Sequence, residues 1–117
     1  LVKATRIQDK ARGVGFDWEH ESQVWEKVQE ELDEFKFEAD QNSDKMEDEF
    51  GDVLFSLINY ARFKGINPED ALEKTNRKFI KRFQFMEEAL NNENKVMSDM
   101  KLDELDKYWE MAKRNSL

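Results

Sequence analysis

The sequence predicts an all-α fold, an antiparallel bundle of five helices. Apolar residues recur three and four apart through most of the chain, the spacing that puts them on one helical face. One proline and four glycines in 117 residues are too few for a turn-rich β protein. Charged residues (39%) and hydrophobic residues (38%) stand in near balance, as in long amphipathic helices. Fourteen aromatics, nine of them Phe, separate this chain from a disordered one of equal charge, because they can bury enough apolar surface to fold. At this length the expectation is a single domain, residues 1–117, around one core.

The first helix is predicted over residues 2–12, with Ala4, Ile7 and Ala11 on one stripe. Gly13 and Gly15 end it and open a loop, Gly13-Val14-Gly15-Phe16-Asp17-Trp18, that carries two aromatics. Ser22 is the expected N-cap of a second helix that runs to Asp40 on the stripe Val24, Val28, Leu32 and Phe35. Gln41-Asn42-Ser43-Asp44 breaks that pattern, with Ser43 or Asp44 as the cap of a third helix over 45–64. This helix is the most apolar, and Phe50, Val53, Leu54, Leu57, Ile58 and Ala61 form a broad face expected to be buried. Gly65 closes it at the C′ position. Asn67-Pro68-Glu69-Asp70 supplies a cap, a proline at the first helical position and acids in the first turn of a fourth helix. That helix continues to residue 90 through Ala71, Leu72, Thr75, Phe79, Phe83 and Met86. Residues 91–101 read as a polar connection, and a short last helix carries Leu102, Leu105, Tyr108, Trp109 and Ala112.

Several function classes are disfavoured at once. The formal net charge is −8, opposite in sign to a nucleic-acid backbone binder, so no nucleic-acid partner is expected. An acidic protein can still take phosphate-bearing substrates if divalent cations stand between the two sets of negative charge. There is no cysteine, hence no disulfide, thiolate metal site or cysteine nucleophile. The single histidine, His20, excludes both a Glu-x-x-His di-iron site and a histidine triad, and it is expected to be exposed. The glycine loop lacks the Lys-Ser/Thr of a Walker-type phosphate cradle. No apolar run reaches the length of a membrane span and no signal-peptide h-region opens the chain, so no membrane partner and a cytoplasmic location are expected. The chain starts at Leu1 rather than Met, which leaves room for an upstream segment.

The informative residues are acids that interrupt faces otherwise fit for burial. Positions 24, 28, 31 and 35 form one seam of the second helix, and the third member is Glu31. Glu34 lies three residues further on nearly the same face, and Glu30 pairs with Glu34 at four. In the third helix Glu49 sits among Met46, Val53 and Ile58, and Asp52 follows it by three. Ser56 and Asn59 extend a polar strip beyond Asp52. A short connection folds the two helices antiparallel, so the two acid pairs converge. Like charges so placed repel, and partial burial adds desolvation; oxygen-ligated Mg²⁺ removes both costs. Taken singly, acid pairs at this spacing are most often solvated faces. Two of them on adjacent helices, each breaking an apolar seam, point to a metal site.

Glu30-Glu31-Leu32-Asp33-Glu34 followed by Glu49-Phe50-Gly51-Asp52 resembles the paired acidic signature of the MazG-type all-α nucleotide pyrophosphohydrolases. Gly15-Phe16-Asp17-Trp18, Gly51-Asp52-Val53-Leu54-Phe55, Asn76-Arg77-Lys78-Phe79 with Arg82-Phe83, and Leu102-Asp103-Glu104-Leu105 leading to Trp109 extend the resemblance over residues 3–113. It is strongest to the C-terminal catalytic domain of two-domain members, which would make this chain a piece of a longer protein. The resemblance implies a helical bundle completed by homodimerisation and Mg²⁺-dependent cleavage of nucleoside triphosphates to monophosphate and pyrophosphate, with Mn²⁺ as a substitute. Glu31, Glu34, Glu49 and Asp52 match the family's metal ligands, and Glu30 falls in the motif where it would orient or deprotonate the attacking water. Lys27, Lys78 and Arg82 match basic positions tied to activity, and Trp109 an aromatic near the nucleotide. A nucleotide-pool house-cleaning role follows by resemblance.

Each of these residues also has a plainer reading. Lys27 can form a surface ion pair with Glu31 four residues on, and Trp109 can be a core residue. Lys78 and Arg82, four apart on a basic stretch with Arg77 and Lys81, repel unless an anion lies nearby. Trp25 reads as core or dimer interface. Trp18 and Phe16 can stack on a base, and Asn59 can bond a sugar, a metal-bound water or a neighbouring helix. Two rival functions stand beside the main one. A narrower relative, such as a dimeric dUTPase or a phosphoribosyl-ATP pyrophosphohydrolase, would keep the acids and change only the base pocket. A non-catalytic dimerisation or interaction module would show a broken acid set, whereas this chain keeps all four.

Overall fold

The structure, a computed structural model, describes residues 1–115. The elements are α1 (Val2–Gly13), α2 (Glu21–Asp40), α3 (Met46–Phe63), α4 (Pro68–Asn92) and α5 (Leu102–Arg114), with a single 3-10 turn at Met97–Asp99. No strand occurs among the described residues, as the sequence predicts. None of these helices is long and apolar enough to cross a membrane. The chain forms two compact units, Leu1–Ala71 and the stretch from Leu72 onward, with the boundary inside α4.

Helix ends follow local chemistry. α1, α2, α3 and α4 each terminate in the same Schellman arrangement, with Gly15, Asn42, Gly65 and Asn94 in the left-handed region. At α3 the Ile66 N–H reaches back to the Ala61 carbonyl at 2.9 Å and the Gly65 N–H to Arg62 at 3.1 Å. At α1 the Phe16 and Gly15 N–H groups do the same to Ala11 and Arg12, which turns the chain sharply into the aromatic loop. At the start of α4, Asn67 Oδ1 accepts the Asp70 N–H at 3.1 Å, as expected of that cap.

Two expected caps are corrected. α2 begins one residue before Ser22: His20 takes the cap position in an extended conformation, and Gln23 Oε1 accepts its N–H at 3.1 Å. His20 is exposed, as expected. At α3 the cap position falls to Lys45, while Ser43 stands two residues earlier, accepting the Lys45 N–H and donating to the Glu38 carboxylate. The stretch 91–101 is also less irregular than expected, since α4 extends to Asn92.

In the first unit α3 is central, touching both α1 and α2. Trp25 meets Tyr60, Glu31 meets Asp52, and Phe35 meets Phe50. Partner numbers on α3 fall as those on α2 rise, so the two helices run antiparallel in a fixed register. Val24, Val28, Val53 and Ile58 are buried along this contact. Phe50, Leu54 and Leu57, expected to be buried, are instead 42–43% exposed, and Leu32 of α2 is 44% exposed. One helix face can be covered only by what packs on it, and the contacts of α1 and α2 leave these side chains partly uncovered. In the second unit Met86, Leu90 and Tyr108 form the core, with Ala89, Met97, Met100, Leu105 and Trp109 against it. Leu72, Phe79 and Phe83, which mark the apolar spacing of α4, are exposed.

Candidate functional site

The α2–α3 register delivers carboxylates into the middle of an apolar contact. Glu31 is buried, Glu49 half-buried and Asp52 exposed, and one oxygen of each lies within 4.8 Å of the others. Glu31 Oε1 accepts a hydrogen bond from Lys27 Nζ at 2.8 Å, one turn earlier on α2. Its Oε2 is buried without a partner, and so is Glu49 Oε2. A carboxylate oxygen shut away from water and left unpaired is costly, the more so beside two other acids. A hard cation needs just such clustered oxygen donors, so this donor set fits a divalent metal.

The other predicted acids lie around this trio. Glu34 is exposed and outside it, yet the charge of Glu31 above all, then desolvation and the charges of Glu49 and Glu30, pushes its carboxyl above the usual range. Glu30 is exposed, 3.5 Å from Lys27. Lys27 is therefore shared between Glu31 and Glu30, and the hydrogen bond to Glu31 is the main reason its pKa is raised. The ion pair read as Lys27's plainer role is formed, and it fixes the buried glutamate.

Beside the acids opens a cleft of about 610 Å³, a size within the ~300–1,000 Å³ typical of small-molecule sites. Asp52, Ser56 and Asn59, the polar strip of α3, line it together with Glu31 and Lys27. Phe16, Trp18 and Phe55 add aromatic surface. The aromatic loop is tied down by Asp17, whose carboxylate accepts from Arg62 at 2.7 and 3.3 Å. That hydrogen bond lowers the Asp17 pKa, against a smaller opposing effect of burial and with help from the Trp18 N–H. Arg62, nearly enclosed, also donates to Asn59 Oδ1 at 2.7 and 3.2 Å. From α1, Gln8 Nε2 donates to the Phe55 carbonyl at 2.9 Å.

Gln8, Asp17 and Arg62 carry no role in the sequence reading. For Gln8 a signal existed: it lies four residues after Ala4 and three before Ala11, breaking that stripe just as Glu31 breaks its own. For Asp17 and Arg62, 45 residues apart, no local spacing could reveal the pair. Of the remaining predicted residues, Arg82 and Trp109 come together within the second unit. The Arg82 guanidinium lies over the indole, 5.4 Å from the ring centroid, and Phe79 packs on the same ring at 5.3 Å. Lys78 is exposed on α4.

Comparison with known proteins identifies the family. The MazG nucleotide pyrophosphohydrolase domain matches residues 19–85, which include every member of the acidic cluster. "Nucleoside triphosphate pyrophosphohydrolase/pyrophosphatase MazG" of Thermotoga maritima is 46% identical over 113 residues, 97% of this chain and 44% of that protein. "Nucleoside triphosphate pyrophosphohydrolase" of Escherichia coli K12 is 38% identical over 120 residues, 100% of this chain and 46% of that protein. "Uncharacterized protein YabN" of Bacillus subtilis is 51% identical over 65 residues, 56% of this chain and 13% of that protein. The chain thus spans just under half the length of the first two relatives.

Two outcomes follow from this geometry. In chelator, Glu49→Gln should melt above the parent by the equivalent of about 1 kcal/mol, because it relieves repulsion at a buried, unpaired oxygen; a lower melting temperature would mean that the acids do not repel. Asp17→Asn should lower stability in urea titrations by about 1 kcal/mol at neutral pH. Because the folded pKa of Asp17 is lowered, that gap is fully present above the ordinary value of 3.8 and closes as pH falls through the lowered one. A gap that stays constant into strong acid would remove the ion pair as its source.

Proposed function

The chain belongs to the MazG nucleotide pyrophosphohydrolase family, and from that premise we propose that it hydrolyses nucleoside triphosphates to monophosphate and pyrophosphate with Mg²⁺, or Mn²⁺ in its place. The observation that carries the proposal is the convergence of Glu31, Glu49 and Asp52, with two buried carboxylate oxygens unpaired, at the edge of a cleft of nucleotide size.

Glu31, Glu49 and Asp52 would hold the metal, and Glu34 would add its charge from the rim. A divalent metal held there would supply Lewis-acid charge to phosphate oxygens and to an attacking water. Lys27 holds the Glu31 carboxylate in place through its 2.8 Å charge-assisted hydrogen bond. The water oxygen attacks the α-phosphorus, the bond from that phosphorus to the α,β-bridging oxygen breaks, and pyrophosphate leaves. Glu30, exposed beside Lys27, accepts the water's proton. Lys78 and Arg82 are proposed contacts of the triphosphate, Trp109 of the nucleotide, and Trp18 and Asn59 of its nucleoside part.

Homodimerisation belongs to the same proposal. Trp25, Leu32, Phe50, Leu54 and Leu57 of α2 and α3 are each more than 40% exposed, and large apolar side chains left this open on two packed helices support a partner surface there. The role proposed is control of the cytoplasmic nucleotide pool, with non-standard triphosphates among the substrates.

The experiment is product analysis of the purified chain on the eight common nucleoside triphosphates with dUTP and ITP, in Mg²⁺ and in chelator. Monophosphate plus pyrophosphate, formed only with metal and slowed at least ~10²-fold by Glu31→Gln, is the expected result. Diphosphate plus orthophosphate would place the cut at a different bond. Absence of turnover would favour an interaction module.

A further inference from the structure

We infer that Gln8 and Asn59 are the base-reading pair of the cleft, an acceptor and a donor held in fixed sense against one edge of a nucleotide's heterocycle. The inference rests on the reading of the cleft as a nucleotide site and adds the residues that recognise the base.

Gln8 is the buried residue of α1. Its amide cannot turn over freely, because Nε2 is committed to the Phe55 carbonyl at 2.9 Å. Oε1 is thereby fixed as an acceptor, and it has no partner while shielded from water. Such an orphan costs about 1–3 kcal/mol, and a leucine of similar size would avoid it. Packing therefore does not explain a glutamine here, whereas a ligand N–H would satisfy it. Asn59 is pinned in the complementary sense. Both Arg62 Nε and Nη2 donate to its Oδ1, so Nδ2 is the end left to offer hydrogens to a ligand. Arg62 is itself held by Asp17, which keeps that amide from rotating.

Both residues line the cleft that carries Phe16, Trp18 and Phe55, flat rings suited to stacking on a heterocycle. The matching ligand edge bears one N–H and one acceptor, a pairing every common base presents in some order and a bare polyphosphate lacks. Sites that hydrogen-bond their ligand reject analogues without the partner group far more strongly than apolar pockets reject size changes.

The test uses the full chain with Gln8→Leu and Asn59→Asp; the second variant keeps an oxygen for Arg62 while replacing the donor by an acceptor. Binding of the four common nucleoside monophosphates is read in chelator by quenching of tryptophan emission, and hydrolysis rates are compared on nucleoside triphosphates and on inorganic tripolyphosphate. Each variant should weaken monophosphate binding about 10- to 100-fold, and its loss on nucleoside triphosphates should exceed its loss on tripolyphosphate at least ~10-fold. Gln8→Leu should melt at or above the parent. Equal monophosphate binding by parent and variants overturns the assignment. So does a Gln8→Leu protein that melts lower and loses both substrates alike, since that is a structural role. If the parent binds monophosphates through these residues but cleaves no triphosphate, the base-reading pair stands and the proposed hydrolysis falls.

Discussion

The structure depends on one opposition: carboxylates forced together in the contact between α2 and α3, against the apolar packing that forces them. Glu31 sits where the seam of α2 calls for an aliphatic residue, and Glu49 and Asp52 meet it from α3. Their mutual repulsion would separate the helices if nothing else joined them. On one side Trp25 packs on Tyr60 at 5.0 Å, and on the other Phe35 packs on Phe50 at 5.4 Å. Val24, Val28, Val53 and Ile58 fill the contact. Aromatic pairs contribute about 0.5–1.5 kcal/mol each beyond their buried area, enough to offset partly screened charges between them. The acids are thus held apart from their preferred solvation by packing that does not involve them, and Lys27 neutralises only one oxygen of Glu31. That residual imbalance is what a cation would satisfy.

The same register builds the cleft. Once α3 is fixed along α2, its polar strip of Asp52, Ser56 and Asn59 faces the space where α1 and the aromatic loop close in. Gly15 in the left-handed conformation makes the turn that delivers Phe16 and Trp18 there, and Asp17 anchors the loop to Arg62 near the end of α3. The clustered acids and the cleft therefore share one helix, α3, as their common wall. A displacement of α3 would disturb both together.

Much of this was legible in the sequence because the signals are local. Helices declare themselves through three- and four-residue spacing, Asn67-Pro68 through cap chemistry, and Glu31 and Glu49 as charges standing where apolar residues belong. Glu34 shares that spacing yet lies at the rim, since two successive steps of three from Val28 rotate it off a seam that alternates threes and fours. What stayed hidden is non-local. The Asp17–Arg62 pair joins residues far apart in sequence, and Arg62 by position looks like a residue completing a helix C-terminus. Exposure of Phe50, Leu54, Leu57 and Phe79 was equally unreadable, because periodicity identifies an apolar face without saying what covers it. Ser22 lost its cap role to His20, two residues earlier, because Gln23 could reach back and accept the His20 backbone N–H.

The central claim is that the Glu31–Glu49–Asp52 cluster is a cation site, and the most direct test is the melting temperature of the nucleotide-free chain against rising Mg²⁺. The account predicts a concentration-dependent rise for the parent, equivalent to about 1.4 kcal/mol at ten times the dissociation constant, and no such rise for Glu31→Gln. Identical responses of the two proteins, or none from the parent, would contradict it.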